Sequence, residues 1–133
     1  MKVKYNGKLT KSHESDIGWD LYASEDITID CYDGAVIHTD LSLEMDGVFA
    51  LVLPRSGLST GGLVCSTGVI DPNYRGEILV SIENHTDEDY PIKKGDRIAQ
   101  LVFLPIPAVE LIQVTSTSKD TDRAEKGFGS SGR

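Results

Sequence analysis

The chain has 133 residues, of which 39% are hydrophobic and 26% charged; 21 acidic against 13 basic side chains give a formal net charge of −8. That length supports one hydrophobic core without staples, and the composition is that of a folded domain rather than a disordered one. The acidic balance argues against general nucleic-acid binding, which needs a basic face. A small anion remains compatible if arginines, backbone amides and a metal cation gather locally.

Cys31 and Cys65 lie far apart, with no Cys or His at metal-ligand spacing. This argues against structural zinc and predicts two reduced, semi-buried thiols. The start, Met1-Lys2-Val3-Lys4-Tyr5, carries no signal-peptide core. The longest apolar stretch, residues 98–109, is too short for a membrane span and is broken by Gln100, Pro105 and Pro107. These features predict a cytoplasmic protein with no membrane contact.

In chain order the pattern is that of short strands. Ile27-Thr28-Ile29 precedes a turn at Asp33-Gly34, and residues 36–45 alternate, with Leu41, Leu43 and Met45 on one face. Asp46-Gly47 is a two-residue hairpin signal leading into a buried strand at residues 48–53. Residues 56–60 are the one place for a helical turn. Further strands are predicted at residues 63–65, 78–83, 98–104 and 109–114, separated by turns at Gly61-Gly62, Asp71-Pro72-Asn73, residues 84–89 and Lys94-Gly95-Asp96. Many short strands with regular turns predict an all-β jelly roll, sandwich or barrel over residues 1–115. Residues 116–133 hold almost no apolar side chain except Phe128. They read either as a disordered tail or as a mobile arm that orders over a ligand.

Five segments carry candidate chemistry. Gly18-Trp19-Asp20-Leu21 sets a carboxylate between two bulky side chains suited to core packing. Pro54-Arg55-Ser56-Gly57 follows a buried strand, where a helical turn aims amides and a hydroxyl at an anion, or is simply a surface turn. Residues 68–76, Gly68-Val69-Ile70-Asp71-Pro72-Asn73-Tyr74-Arg75-Gly76, read as a tight hairpin. Asp71 there is either a turn former or a carboxylate held to orient and deprotonate water, and Tyr74 is either a core aromatic or a ligand contact. At residues 95–101, Gln100 is a candidate phosphate donor and Arg97 an ion-pair partner for Asp20 or Glu77. Finally, Arg123 precedes Gly127-Phe128-Gly129-Ser130-Ser131-Gly132, where glycines let amides converge on phosphate oxygens and Phe128 is free to stack on a flat ligand.

In this order and at these separations, the five segments resemble the five motifs of the trimeric dUTPase family, and the resemblance spans nearly the whole chain. It implies a β jelly roll in a homotrimer whose sites are shared between subunits, with residues 116–133 as an arm closing over a site elsewhere in the trimer. It implies dUTP as substrate, dUMP and pyrophosphate as products, and Mg2+ bound mainly by the triphosphate. By the resemblance, Asp71 activates the attacking water, and Tyr74 packs on the deoxyribose. Gly68, Val69 and Ile70 line the nucleoside, while Arg55, Ser56, Gly57 and Gln100 serve the α and β phosphates. Arg123, Gly129, Ser130 and Ser131 serve the γ phosphate, Phe128 stacks on uracil, and Asp20 orders the metal's water shell. The chain departs from the family pattern at Ala124 for glycine, Ser131 for threonine, Asn73 for aspartate, and at Trp19 and Cys65; residues 59–67 are slightly short. A deaminase of the same fold needs a glutamate beside the pyrimidine, whereas residues 71–76 match the hydrolase pattern. A nucleotide-sensing role with a regulatory protein partner is the alternative from another class.

Overall fold

The structure, a computed structural model, describes residues 1–129, 131 and 132. The chain forms β1 (Lys2–Asn6), β2 (Trp19–Tyr22), β3 (Ile27–Ile29), β4 (Gly34–His38), β5 (Ser42–Asp46) and β6 (Val48–Leu53). The helical turn α1 (Ser56–Ser59) follows, then β7 (Leu63–Cys65), β8 (Gly68–Ile70), β9 (Leu79–Asn84), β10 (Tyr90–Ile92) and β11 (Arg97–Pro105). Every ladder is antiparallel. The period-2 signal decides the faces: β9 turns Val80, Ile82 and Asn84 inward and Leu79, Ser81 and Glu83 outward. A four-stranded sheet, β2-β11-β6-β8, and a three-stranded sheet, β4-β9-β7, are accompanied by the ribbons β1-β5 and β10-β3. Their inner faces share one core, with Leu21, Ile37, Leu41, Ile78, Val80, Ile82 and Leu101 fully buried. This is a jelly-roll-like all-β fold. Among the described residues no helix is long and apolar enough to cross a membrane.

Five local expectations change. Residues 36–45 are two strands, because Asp40 takes a left-handed conformation (φ 55°) and turns the corner between β4 and β5; Leu41, Leu43 and Met45 are all buried, as the alternation predicts. Asp46-Gly47 does turn the chain, with Gly47 at φ 74°, yet β5 pairs with β1 while β6 pairs with β8 and β11. The turn hands the chain from one sheet to another. Six consecutive apolar residues make β6 a strand for a central slot, whereas β5, with Ser42 and Glu44 on its outer face, suits a ribbon. Residues 68–76 are likewise a connection between sheets, since β8 pairs with β6 and β9 with β4 and β7. Residues 109–114 form no strand, and Val109, Leu111, Ile112 and Val114 are exposed. Pro105 and Pro107 end the β11 ladder. Of the cysteines, Cys65 is buried, which pushes its thiol pKa up, while Cys31 is exposed rather than semi-buried; both are free.

The buried Asn84 organises the turn after β9. Its amide nitrogen donates to the carbonyls of Ile29 (3.0 Å) and Glu88 (2.8 Å), and its oxygen accepts from the Thr86 amide (3.0 Å) and hydroxyl (2.7 Å). Asn84→Ala leaves these groups without partners in a closed site and should cost about 2–3 kcal/mol. A urea unfolding midpoint lowered at unchanged slope is the expected result.

Candidate functional site

At one end of the four-stranded sheet, Asp20, Arg55, Arg97 and Gln100 converge. Cross-strand register sets Asp20 opposite Gln100 and Gln100 opposite Leu53, two residues before Arg55. Residues three apart on a regular strand face opposite sides, so Arg97 and Gln100 should diverge. A bulge between Arg97 and Ala99 absorbs one residue, so that Ile98 and Ala99 are both buried and Arg97 shares the outer face with Gln100. The Asp20 carboxylate, 13% exposed, lies 3.6 Å from Arg55 Nε and 3.7 Å from Arg97 Nε. Ser12 joins the network, donating to Asp20 (3.3 Å) and accepting from Arg97 (3.2 Å). Arg55 also donates to the Arg97 carbonyl (3.3 Å). Two guanidinium groups share one carboxylate in this corner, and Asp96 lines the pocket beside them. Of the two partners foreseen for Arg97, Asp20 is the one it meets.

Ser56 and Gly57, both exposed, open α1. No side chain caps this turn, so its first amides and the Ser56 hydroxyl face outward beside the arginines. Gln100 Nε2 donates to the Pro54 carbonyl at 2.9 Å, fixing the side chain and keeping its second N–H for a ligand. A Cβ at Gly18 would come within 2.1 Å of Gln100 Oε1, so only glycine leaves room for that rotamer.

The second cluster surrounds the turn after β8. Val69, Ile70, Asp71, Tyr74, Glu77 and Leu79 line a cavity of about 230 Å³. Its apolar walls carry an exposed Asp71, whose carboxylate has no hydrogen-bond or ion-pair partner among the described residues. The turn is built locally. The Tyr74 amide donates to the Asp71 carbonyl (3.1 Å), the Tyr74 hydroxyl to the Glu77 carbonyl (2.8 Å) and Arg75 to the Pro72 carbonyl (2.5 Å). Gly76 is obligatory here, because a Cβ would meet the Tyr74 ring within 3 Å. Gly68, Val69 and Ile70 form the outermost strand of the four-stranded sheet, so one backbone edge of β8 is free to pair with a donor–acceptor ligand edge.

Within one chain these clusters do not meet. Ile70 pairs with Ala50 and Gly68 with Val52, so β8 runs away from the arginines and Asp71 lies level with Phe49. From Phe49 to Arg55 the chain advances roughly 15–20 Å. Asp71 is therefore at the opposite end of the sheet from Ser56 and Gln100.

The last segment stands apart again. Beyond an amide bond from Ile106 to the Gly47 carbonyl (3.3 Å), the hydrogen bonds described for residues 106–132 lie within the segment itself. Arg123, Gly127, Phe128, Gly129 and Ser131 border a shallow pocket, with Phe128 fully exposed. Arg123 folds back onto the carbonyls of Lys126 (2.7 Å) and Gly127 (3.4 Å). Ala124 adopts φ 50°, a conformation that favours glycine. Ser130 lies outside the described residues. Sequence reasoning did not single out Ser12 or His38. Ser12 sits in a polar loop with no pattern of its own, and His38 owes its role to Glu77, a residue brought near only by the β4–β9 ladder.

The family profile described as dUTPase matches residues 5–132. Deoxyuridine 5'-triphosphate nucleotidohydrolase of Debaryomyces hansenii is 44% identical over 119 residues, covering 87% of this chain and 74% of the relative. The protein of that name from Alkaliphilus metalliredigens is 38% identical, covering 99% of this chain and 96% of the relative. Among solved structures, Staphylococcus bacteriophage 80alpha dUTPase with dUPNHPP superposes with a TM-score of 0.91 at 31% identity, covering 99% of both chains. A mutant dUTPase from phage phi11 of S. aureus, whose structure concerns coordination of a structural Mg(II) ion, gives a TM-score of 0.80 at 27% identity, covering 87% of this chain and 98% of that one. With a family match that runs almost from end to end and relatives aligned across most of their own length, the chain belongs to the dUTPase family.

Proposed function

We propose that the chain hydrolyses dUTP to dUMP and pyrophosphate at sites shared between the subunits of a homotrimer, in the cytoplasm. The observation that carries this reading is the unpartnered Asp71 carboxylate at the mouth of an apolar pocket beside Tyr74. Asp71 contacts the 3′-hydroxyl and orients a water toward the α-phosphorus. As the water oxygen bonds to phosphorus, its proton passes to Asp71 and the bond to the oxygen bridging the α and β phosphates breaks, releasing pyrophosphate. An ionised carboxylate is a modest base near neutral pH, so placement of the water and stabilisation of charge supply most of the rate.

Tyr74 packs on the deoxyribose and leaves no space for a 2′-hydroxyl, while the free edge of β8, at Gly68, Val69 and Ile70, reads the pyrimidine. Ser56, Gly57 and Gln100 donate to the α and β phosphates, with Arg55 bracing the turn. The 15–20 Å between Asp71 and this cluster supports assembly of the site from different subunits. Residues 116–133 act as an arm beyond a body of residues 1–115. Arg123, Gly129, Ser130 and Ser131 close on the γ phosphate, and Phe128 caps the uracil. The self-contained hydrogen bonding of this segment and its exposed Phe128 fit an arm that finds its partners on another subunit.

Mg2+ is the proposed cofactor. Among the described residues no group of three or more His, Cys, Asp or Glu side chains could hold a metal. Asp20, the carboxylate of the arginine corner, is already engaged by two guanidinium groups and Ser12. The donor set therefore fits an ion carried by the triphosphate, with Asp20 touching only its water shell. Such an ion supplies neutralisation of phosphate charge. A regulatory protein partner is a second reading. It is favoured by the likeness to the 80alpha phage enzyme, described in a study of phage dUTPases that control transfer of virulence genes by a G protein-like mechanism.

Product analysis with dUTP, dTTP, dCTP and UTP, with magnesium and with chelator, tests the reading. Metal-dependent conversion of dUTP alone is expected; ammonia release from dCTP would overturn it, and tight dUTP binding without turnover would favour the regulatory reading. Asp71→Asn should lower kcat by about 100-fold or more while a non-hydrolysable dUTP analogue still binds in calorimetry; near-normal turnover would refute the assignment. Removing residues 116–133 should reduce turnover by a similar factor, about 100-fold, with the trimer intact in sedimentation.

A further inference from the structure

Glu77 ties the 71–77 turn to the body of the chain. One carboxylate oxygen lies 2.7 Å from His38 Nδ1 at the end of β4, and the other accepts the Asp40 amide at 2.9 Å. Beside it the Ile78 amide donates to the Leu41 carbonyl (2.8 Å), and the Thr39 hydroxyl donates to the Ile78 carbonyl (2.6 Å). The Glu77 carbonyl in turn accepts the Tyr74 hydroxyl. A continuous path therefore runs from the His38 imidazole through residue 77 to the phenol, and Gly76 lets the ring lie flat against that path. Glu77, Asp71 and Tyr74 line the same cavity.

We infer that His38 is a positioning residue for the substrate: through Glu77 it sets where Tyr74 stands in the nucleoside pocket, and its protonation state makes dUTP affinity depend on pH. The inference rests on assigning the 71–77 turn to the nucleoside. The charged groups around the imidazole agree in sign. Glu77 on the turn, Glu25 after β2 and Asp40 at the β4–β5 corner are all carboxylates, and Leu79, its cross-strand neighbour, is uncharged. Arg75 is turned away, toward Glu44 and the Pro72 carbonyl. The hydrogen bond to Glu77, followed by the charge of that carboxylate, holds the His38 pKa above its ordinary 6.5. The same bond, with the Asp40 amide, holds Glu77 below its ordinary value, so Glu77 stays ionised near neutrality. A raised histidine contributes its pairing fully below the unfolded value and loses it as pH rises through the folded value. The clamp is thus complete below about pH 6.5 and loosens as pH rises through the raised value.

The test is the pH dependence of KM and kcat for dUTP, between about pH 6 and 9, in the wild type and in His38→Gln, which keeps a donor but cannot titrate. Any pH dependence of the substrate and of the rest of the site is common to both proteins and cancels in the ratio. Across this range the wild-type KM should rise about threefold more than the variant's, the modest size expected of a half-exposed pair, with kcat following the same curve in both. Glu77→Gln should abolish the same excess. Parallel KM profiles, with only a lower thermal midpoint in His38→Gln, would make His38 merely structural and overturn the inference. Binding of dUMP to the wild type should also shift the His38 imidazole titration upward by NMR, because linkage is reciprocal; an unmoved titration overturns it as well. Absence of dUTP turnover by the wild type would overturn the site assignment and this inference together, whereas turnover with parallel profiles would overturn the inference alone.

Discussion

The Asp20 carboxylate sits between two guanidinium groups, and the anion-facing end of the molecule depends on that arrangement. Arg55 and Arg97 come from different parts of the chain and would repel each other if brought together alone. Asp20, mostly buried and within 3.7 Å of both, lets them share one corner. Ser12 closes the network from the N-terminal loop, and the bulge in β11 turns Arg97 onto the face it needs. The same saturation limits what Asp20 can do otherwise: under the proposed function, a carboxylate with two cationic partners and a hydroxyl would meet a phosphate-borne metal only through water.

A second constraint follows from β6. Its apolar faces place it between β11 and β8, so the two segments with candidate chemistry are attached to its opposite sides. Antiparallel pairing then sends β8 away from the arginine corner and carries Asp71 to the far end of the sheet. One chain consequently holds the two clusters at opposite ends of one sheet, and under the proposed function it is strand direction that calls for another subunit.

The cluster around Asp71 is set by different means. Its turn has few buried contacts of its own and is held by local hydrogen bonds, by a glycine under an aromatic ring, and by Glu77 anchored at the β4–β5 corner. The corner exists because Asp40 accepts a left-handed conformation, and Thr39 satisfies the carbonyl of Ile78 inside it. The turn is therefore joined to His38 through Glu77.

Composition, the period-2 alternation and the turn residues determined that the chain is all-β, that Leu41, Leu43 and Met45 share one face, that residues 48–53 form a buried strand, and that five separate segments carry candidate chemistry. These are local properties, set by side-chain size, polarity and backbone preference within a few residues. Which strands pair was not local. Asp46-Gly47 has the chemistry of a hairpin turn, yet its flanking strands join different sheets, because β6 lies between β11 and β8 while β5 pairs with β1. Residues 109–114 have the composition of a strand, follow Pro105 and Pro107, and pair with no strand among the described residues. Tertiary structure alone decided that Arg97, Asp20 and Ser12 meet, that His38 finds Glu77, and that Asp71 stands apart from Ser56. Each depends on long-range register, in which a shift of one residue would turn every side chain to the opposite face.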